Sequence, residues 1–376
     1  MSLPFGVYRA DHVGSFLRPQ AIKEARQKQS ADANTADALR KIEDTEIAAL
    51  VRQELANGIR SVTDGEFRRE YFHLDFLKQV SGVDVVGYLE STSQGPNGFG
   101  PPRLVVKGKL KHDRPIQVED YKFLAAALKE TGASDATIKV CIPSPTMLHF
   151  RGGRSSIDIE SYPDLDPFFD DLAKVYQEEI QALYEAGCRF VQLDDTNLAY
   201  LCDAKMRADV AARNEDPAAL TRKYAELINA ALSKKPDDLK VGIHLCRGNY
   251  KSRWFAAGGY EPVAEVLFRH LNVDAYFLEY DDARSGDFAP LRFLPENKVV
   301  VLGLMCSKKP ELDDKAHIIA RLHEAAKFCP KGLEQLCLSH QCGFSSTYEG
   351  NDLSQEEQWA KVRLEVEIAK EVWKDA

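Results

Sequence analysis

The sequence predicts an α/β protein whose single domain, residues 1–376, is a (β/α)8 or TIM barrel. Short β-branched segments alternate with amphipathic segments along most of the chain, as expected for βα units around a parallel sheet. A doubly wound sheet would need spaced glycines in a phosphate-binding loop after the first strand, and Val13-Gly-Ser15 lacks them. Length alone suggests two or three domains of ~150 residues. A barrel, however, uses ~250 residues or more as one domain, so the strand pattern favours one enlarged barrel.

Eight strands are predicted, and each of the first seven is followed by a longer connecting segment. In chain order they are Ala10–Phe16, Arg60–Glu66, Thr137–Pro143, Arg189–Asp195, Lys240–Cys246, Ala275–Asp281, Val299–Met305 and Leu336–Cys342. Helices are predicted where apolar residues recur three and four positions apart. The clearest are Asp37–Asn57, Leu165–Ala186, Pro217–Ser233, Pro310–Phe328 and Gln355–Val372.

One segment, at about residues 81–115, interrupts this alternation after the second strand. It contains a run rich in turn-forming residues from Ser91 to Pro102, followed by alternating apolar and polar residues from Arg103 to Leu110. Such a composition predicts an inserted hairpin or lid over one face of the barrel.

The charge and hydropathy patterns exclude several classes of protein. Lys and Arg number 49 against 58 for Asp and Glu, and this net charge of −9 disfavours an extended nucleic-acid-binding surface. No segment approaches the ~18 consecutive apolar residues of a membrane span, and the start lacks the pattern of a secretion signal. We therefore expect a cytoplasmic protein with no membrane partner. Its eight cysteines are then expected to be free thiols or metal ligands rather than disulfides.

The predicted fifth strand carries the first candidate ligands. Side chains alternate along a strand, so His244 and Cys246 share a face with Gly242, while the apolar residues between them face the helices. In a barrel this places the imidazole and the thiol at the carboxyl end, where barrel enzymes have their active sites. Glu279 lies near the end of the sixth strand and Cys342 ends the eighth, so both can reach the same rim.

Two thiolates, an imidazole and a carboxylate are a ligand set that Zn²⁺ accepts, whereas Mg²⁺ and Ca²⁺ prefer oxygen. The four residues lie on three separate strands, which favours a catalytic site over a structural zinc finger. A single cysteine or histidine at such a position is usually a buried packing residue. The other cysteines lack such neighbours in the sequence and are interpreted as packing residues: Cys141, Cys188, Cys202, Cys329 and Cys337.

The order His-x-Cys, then Glu, then Cys resembles the zinc site of cobalamin-independent methionine synthases. The resemblance extends over nearly the whole chain. His12 to Phe16 (His-Val-Gly-Ser-Phe) is similar to the start of the family's barrel, Asp64-Gly-Glu66 to its Gly-Glu segment, and Val191 to Asp195 to its Gln-Ile-Asp-Glu segment.

The resemblance implies a TIM-barrel methyltransferase in which Zn²⁺ activates the thiol of homocysteine. It implies that Val13, Gly14 and Ser15 bind the homocysteine carboxylate, and that Glu66 and Asp194 bind its ammonium group. The chemistry of these groups agrees, because main-chain amides and a hydroxyl bind a carboxylate and carboxylates pair with an ammonium group. We also expect Glu279 to be the ligand that yields when the substrate sulfur binds.

The sequence departs from the family where the methyl donor binds. The family's long members have a second barrel, and a histidine after the seventh strand donates a proton to the departing pterin. This chain has room for one barrel and no histidine at that place, so Cys306 or His340 is the predicted proton donor, with Lys308 as a further possibility. His149 or Phe150 is predicted to contact the donor, which is methyltetrahydrofolate, a methylated corrinoid protein or a smaller methyl compound.

Three alternatives stay open from the sequence. A zinc-dependent thiol alkyltransferase of the coenzyme M type would keep the metal but lack an ammonium group for Glu66 and Asp194. A metal-free barrel of the uroporphyrinogen decarboxylase type would leave His244 and Cys246 without a role. A zinc- or pterin-binding barrel without catalytic activity would account for the missing histidine.

Overall fold

The structure is a computed structural model that describes residues 2–31, 35–90 and 99–376. Within these residues the chain forms ten strands. They are β1 (Ser61–Val62), β2 (Ser81–Glu90), β3 (Phe99–Lys111), β4 (Thr137–Ile138), β5 (Val140–Pro143), β6 (Phe190–Asp195), β7 (Lys240–Leu245), β8 (Ala275–Glu279), β9 (Val299–Met305) and β10 (Leu336–His340).

A parallel sheet of six strands positions most of the candidate site residues. Strands β5 to β10 lie side by side in chain order, and every neighbouring pair is parallel. Strands β1 and β4 form a second parallel pair, and a parallel bridge joins Ala10 to Leu338 of β10. The fold is therefore α/β with a parallel sheet.

The predicted strand Ala10–Phe16 is wrong beyond its first residue. Side chains, rather than a neighbouring strand, bind the carbonyl oxygens of three successive residues in this segment. The Lys139 ammonium donates to His12 O, Gln192 Nε2 to Val13 O at 2.6 Å, and Thr63 Oγ1 to Gly14 O at 2.7 Å. The segment therefore runs without a continuous ladder, and its backbone bends at Gly14, where φ is +133°.

The helices alternate with the strands. Within the described residues they are α1 (Gln20–Ala31), α2 (Ala36–Ala56), α3 (Leu74–Leu77), α4 (Val118–Thr131), α5 (Leu165–Glu185), α6 (Asn197–Tyr200), α7 (Ala204–Ala212), α8 (Pro217–Leu232), α9 (Glu261–His270), α10 (Lys315–Ala326) and α11 (Gln355–Val372). The start predicted for α10 at Pro310 is wrong, because the Asp314 side chain caps the helix by accepting the N–H of His317. None of the described helices is long and apolar enough to cross a membrane.

The segment after β1 contains the antiparallel pair β2 and β3, with partners from Ser81 and Lys111 to Glu90 and Phe99. Part of the run predicted to be rich in turns, residues 91–98, lies outside the described residues. Residues of β3 face the rest of the fold, because Val106 and Leu110 belong to the main hydrophobic core. The predicted role of the pair as a lid stays a prediction.

The two faces of β7 differ in their surroundings, as the sequence predicted. Val241, Ile243 and Leu245 belong to the main core with the helices. On the inner face, a small apolar layer precedes the site, formed by Val7, Phe190, Ala275, Phe277, Val299, Val301 and Cys337. A Cβ atom at Gly242 would lie 2.9 Å from Phe277 and 3.1 Å from Phe190, so this glycine leaves room for both rings one layer below His244.

Candidate functional site

Four side chains converge at the carboxyl edge of the parallel sheet. His244 lies on β7, Cys246 directly follows it, Glu279 ends β8, and Cys342 follows β10. One ligand atom of each residue lies within 4.8 Å of the corresponding atom of every other, and all four residues are buried. The Cys246 and Cys342 Sγ atoms are 3.4 Å apart. The structure thus brings together all four predicted ligands, here called the ligand group, which offers one nitrogen, two sulfur atoms and one oxygen.

His244 is oriented as a metal-binding histidine would be. Its Nδ1 lies 3.2 Å from Phe277 O, a contact that suits Nδ1–H donation to the carbonyl and leaves Nε2 with a lone pair. Nε2 is buried and has no hydrogen-bond partner among the described residues. Burial works against a charge on this ring, but the Cys342 sulfur and the Asp194 and Glu279 carboxylates outweigh burial and raise the pKa of His244. The residues therefore fit a bound cation.

The two thiols of the ligand group differ in acidity. The contact with the Cys246 thiol, assisted by His244 and Lys308, lowers the pKa of Cys342 well below its usual value. The same contact, together with burial, raises the pKa of Cys246 well above its usual value. Residues around the pocket thus favour one thiolate, and a divalent cation would stabilise the second.

The Glu279 carboxylate has protein partners on both oxygens. Its Oε1 accepts the main-chain N–H of Arg247 at 2.6 Å. Its Oε2 accepts from Arg284 Nη2 at 3.2 Å and lies 3.7 Å from Lys308 Nζ. These contacts hold a fully buried carboxylate beside the two thiols and the imidazole.

A second buried group, formed by Glu66, Cys141 and Asp194, adjoins the first. Its ligand atoms also lie within 4.8 Å of one another, and Asp194 pairs in register with His244. Burial, reinforced by Asp194, raises the pKa of Glu66 to about 7. Burial also raises the pKa of Asp194 to about 6, although His244 opposes this shift. Two carboxylates held so close have the chemistry to pair with a cation such as an ammonium group.

The backbone around the second group is constrained. Glu66 has φ of +59°, which is unusual for a residue with a side chain. A Cβ atom at Gly14 would lie 2.6 Å from Cys141 Sγ and 3.7 Å from Glu66 Oε1, so the Gly14 backbone lies directly against this group. The Cys141 thiol in turn donates to Val13 O at 3.4 Å. Val13 and Gly14 are therefore placed beside the predicted binding residues Glu66 and Asp194.

Ser15 connects this segment to the loop that carries Cys342. Its Oγ accepts the N–H of Ser345 at 3.3 Å, and a Cβ atom at Gly343 would lie only 1.9 Å from that oxygen. The two predicted groups of site residues thus lie side by side, one built from carboxylates and main chain and the other from metal-binding side chains.

The chain matches the family model described as the catalytic domain of cobalamin-independent synthase over residues 9–371. It belongs to this family. The uncharacterised protein YxjH of Bacillus subtilis strain 168 is 45% identical over 368 residues, covering 98% of this chain and 95% of YxjH. A methionine synthase of Pyrococcus abyssi strain GE5 is 24% identical over 332 residues, 88% of this chain and 84% of that protein.

A solved structure from Listeria monocytogenes, assigned as a vitamin-B12-independent methionine synthase, has the same overall fold. It superimposes with a TM-score of 0.77 at 38% sequence identity and covers 99% of both chains. The resemblance inferred from the sequence is confirmed. The cobalamin-independent synthase family identifies the chain as a methyltransferase of the methionine synthase type.

The residues predicted to contact the methyl donor have packing contacts. His149 is buried, with Nδ1 2.9 Å from Tyr224 Oη and its ring centroid 5.2 Å from that of Phe169. Burial and Arg213 lower the pKa of His149 to about 4. Phe150 packs against Tyr200 at 5.8 Å between ring centroids. These contacts belong to core packing, and the role in donor binding stays a prediction.

The two predicted proton donors have their described contacts with residues outside the ligand group. The Cys306 N–H donates to the Asp313 carboxylate at 3.1 Å. His340 has Nδ1 2.7 Å from Glu365 Oε2 of α11, and burial, Lys361 and His12 hold the pKa of His340 well below its usual value. Of the three residues considered after the seventh and eighth strands, Lys308 is the one with a described contact to a predicted ligand.

Cys141 was interpreted from the sequence as a packing residue, and the structure places it instead between the two carboxylates of the second group. Alternation along the predicted strand could have indicated this position. Lys139, two residues earlier, shares its face, and a lysine there indicates that the face is polar rather than part of an apolar core.

Proposed function

We propose that the chain transfers a methyl group from a methyl donor to the sulfur of homocysteine and so makes methionine. The observation that carries the proposal is the convergence of His244, Cys246, Glu279 and Cys342 within 4.8 Å, in a chain of the cobalamin-independent synthase family. Sulfur ligands favour zinc over magnesium or calcium. When bound there, Zn²⁺ would hold the substrate sulfur as a thiolate, which is the nucleophilic form.

The chain's own residues bind and orient the amino acid in this proposal. Glu66 and Asp194 pair with its ammonium group, and the main chain of Val13 and Gly14 with the Ser15 hydroxyl binds its carboxylate. Support comes from the close approach of Glu66 and Asp194 and from the register pairing of Asp194 with His244. A short thiol side chain can then extend from the carboxylate pair to the ligand group, which suits homocysteine.

The proposal also covers the overall fold of the chain. We infer that the parallel strands close into one (β/α)8 barrel over residues 1–376, with the segment at about 81–115 as an excursion. The parallel bridge between Ala10 and Leu338 and the pairing of β1 with β4 support closure. In such a barrel the ligand group lies at the carboxyl ends of the strands, where barrel enzymes have their active sites.

The methyl donor stays open among methyltetrahydrofolate, a methylated corrinoid protein and a smaller methyl compound. His149 and Phe150 remain the predicted contacts of the donor, and Cys306 or His340 the predicted proton donor. The alternative of a coenzyme M type thiol is less well supported, because that thiol has no ammonium group for the buried Glu66 and Asp194 carboxylates. A zinc-binding protein without catalytic activity would contain the same amount of zinc but would form no methionine.

The proposal is tested by measuring zinc in the purified protein and then methionine formation from homocysteine with each donor. We expect about one zinc per chain and methionine with at least one donor. A parallel assay with coenzyme M as the thiol tests the nearest alternative. Zinc without product from any donor would favour the binding protein, and protein without zinc would overturn the proposal.

A further inference from the structure

Lys308 is a buried cation beside the ligand group. It follows β9, its residue is 5% exposed, and within the described part of the chain its Nζ has no hydrogen-bond partner. The described ion pair of this ammonium group is with Glu279 Oε2 at 3.7 Å, longer than a hydrogen bond. Burying a charge without close hydrogen bonds is unfavourable. The position of Lys308 therefore suits an ion pair that becomes shorter in another state of the site.

One arginine beside Glu279, Arg284, is already paired with other carboxylates. Arg284 Nη2 contacts Asp281 Oδ1 at 2.8 Å and Oδ2 at 3.1 Å, and Arg284 Nη1 contacts Asp282. Its contact with Glu279 Oε2 is longer, at 3.2 Å. Arg284 thus balances the two aspartates that follow β8, and Lys308 has Glu279 as its principal anionic partner.

We propose that Lys308 is a positioning residue that receives the Glu279 carboxylate when the substrate thiol replaces it on the metal. This inference rests on the proposed function. With a metal held by the ligand group, the substrate sulfur would bond to it in place of Glu279, and the metal–oxygen bond of Glu279 would break. The thiol proton would leave to solvent, and the carboxylate would keep its electron pair and pair with the Lys308 ammonium group.

The charges explain why a cation is needed at this position. Two thiolates and one carboxylate exceed the charge of a divalent metal by one, and three thiolates exceed it by the same amount. Exchange therefore leaves the metal group unchanged in charge but adds a free carboxylate in a buried pocket. A buried carboxylate needs cationic partners, and the Lys308 ammonium group would add to the Arg284 contact and lower the free energy of the exchanged state.

The test compares Lys308→Met with Lys308→Arg and with Lys309→Met, since Lys309 is the adjacent exposed lysine. Each zinc-loaded protein is titrated with homocysteine by calorimetry, and its metal shell is measured by X-ray absorption with and without homocysteine. Circular dichroism checks folding. We expect Lys308→Met to keep its zinc but to bind homocysteine about 10- to 100-fold more weakly. Its metal shell should gain sulfur while retaining the carboxylate oxygen. Lys308→Arg should recover most of the affinity, and Lys309→Met should match the parent protein.

Equal homocysteine affinity and equal loss of the oxygen ligand in Lys308→Met and the parent protein would overturn the inference. An unchanged oxygen ligand in the parent protein would also overturn it, because no carboxylate would then be released. If Lys308→Met does not fold, Lys308→Arg and Lys308→Gln carry the same comparison. These results are distinct from a failure of the proposed function, which would appear as absent zinc or absent methionine in the parent protein.

Discussion

The Sγ atoms of Cys246 and Cys342 lie 3.4 Å apart, although 96 residues separate the two cysteines in the chain. Parallel strands explain this proximity, because each strand returns to the same edge of the sheet and delivers its last residues there. Chemistry that needs ligands of different kinds can thus be assembled from positions that are far apart in sequence. The proposed function places the thiol chemistry at this edge.

Replacing one sulfur ligand should remove both metal and activity. In Cys342→Ser the hydroxyl is a much poorer zinc ligand than a thiolate, so bound zinc should fall from about one per chain to below about 0.1. The bound zinc is measured by elemental analysis after dialysis. Cys188→Ser is the matched control, because Cys188 is equally buried but its Sγ contacts only the nearby Phe190 O in the described hydrogen bonds. Full zinc in Cys342→Ser would contradict the assigned ligand group.

Binding of the ammonium group of the amino acid should depend on pH through Glu66 and Asp194. Their pKa values of about 7 and about 6 mean that both carboxyls are ionised at pH 8 and become protonated, Glu66 first, as the pH falls. Affinity for an ammonium group should therefore weaken as pH falls. Methionine is the suitable probe because its thioether does not titrate, and we expect its Kd to be about 10-fold higher at pH 5.5 than at pH 8.

Glu66→Gln should bind methionine weakly at pH 8 and lose most of this pH dependence between pH 6 and 8. Glu160→Gln, at an exposed position, should behave like the parent protein. Zinc is measured at each pH so that metal loss is not mistaken for weaker binding. The same pH profile in the parent protein and Glu66→Gln would exclude Glu66 as the titrating group.

A methyl group at position 14 should damage substrate binding more than folding. Gly14 has φ of +133°, and its new Cβ would lie 2.6 Å from Cys141 Sγ. We expect Gly14→Ala to raise the KM for homocysteine at least about 10-fold while zinc is retained. Gly132→Ala is the control for backbone strain alone, because Gly132 has φ of +74° but open space around the added carbon. Steady-state kinetics measures both variants, and an unchanged KM in Gly14→Ala would contradict the predicted role.

His340 should prove important for stability rather than for proton transfer. Its Nδ1 lies 2.7 Å from Glu365 Oε2, and burial raises the pKa of Glu365 well above its usual value. His340→Leu would remove this close buried contact, so the free energy of unfolding should fall by about 2 kcal/mol. Denaturant unfolding measures this change, and His340→Leu with Glu365→Leu should recover part of it. A loss of kcat larger than about 10-fold in folded His340→Leu would instead support the proton-donor prediction.

The sequence by itself predicted the four residues of the ligand group and most of the strands around them. His244, Cys246, Glu279 and Cys342 could be predicted because each lies at or near the end of a short strand, and parallel strands share a carboxyl edge. The largely apolar strands β7 and β9 were predicted almost to the residue. Such patterns are local, and they depend on which face of a strand meets the core.

Tertiary structure decided what depends on partners from distant segments. The first predicted strand is mostly lost because Lys139, Gln192 and Thr63 bind its carbonyl oxygens, and no local pattern in residues 10–16 contains that information. Cys141 joins Glu66 and Asp194, and Lys308 approaches Glu279, through contacts between segments that are far apart in the sequence. A cysteine or a lysine is the same residue in the sequence whether it packs in the core or takes part in a functional site. Its charged neighbours and its burial, which only the folded chain brings together, determine its chemistry.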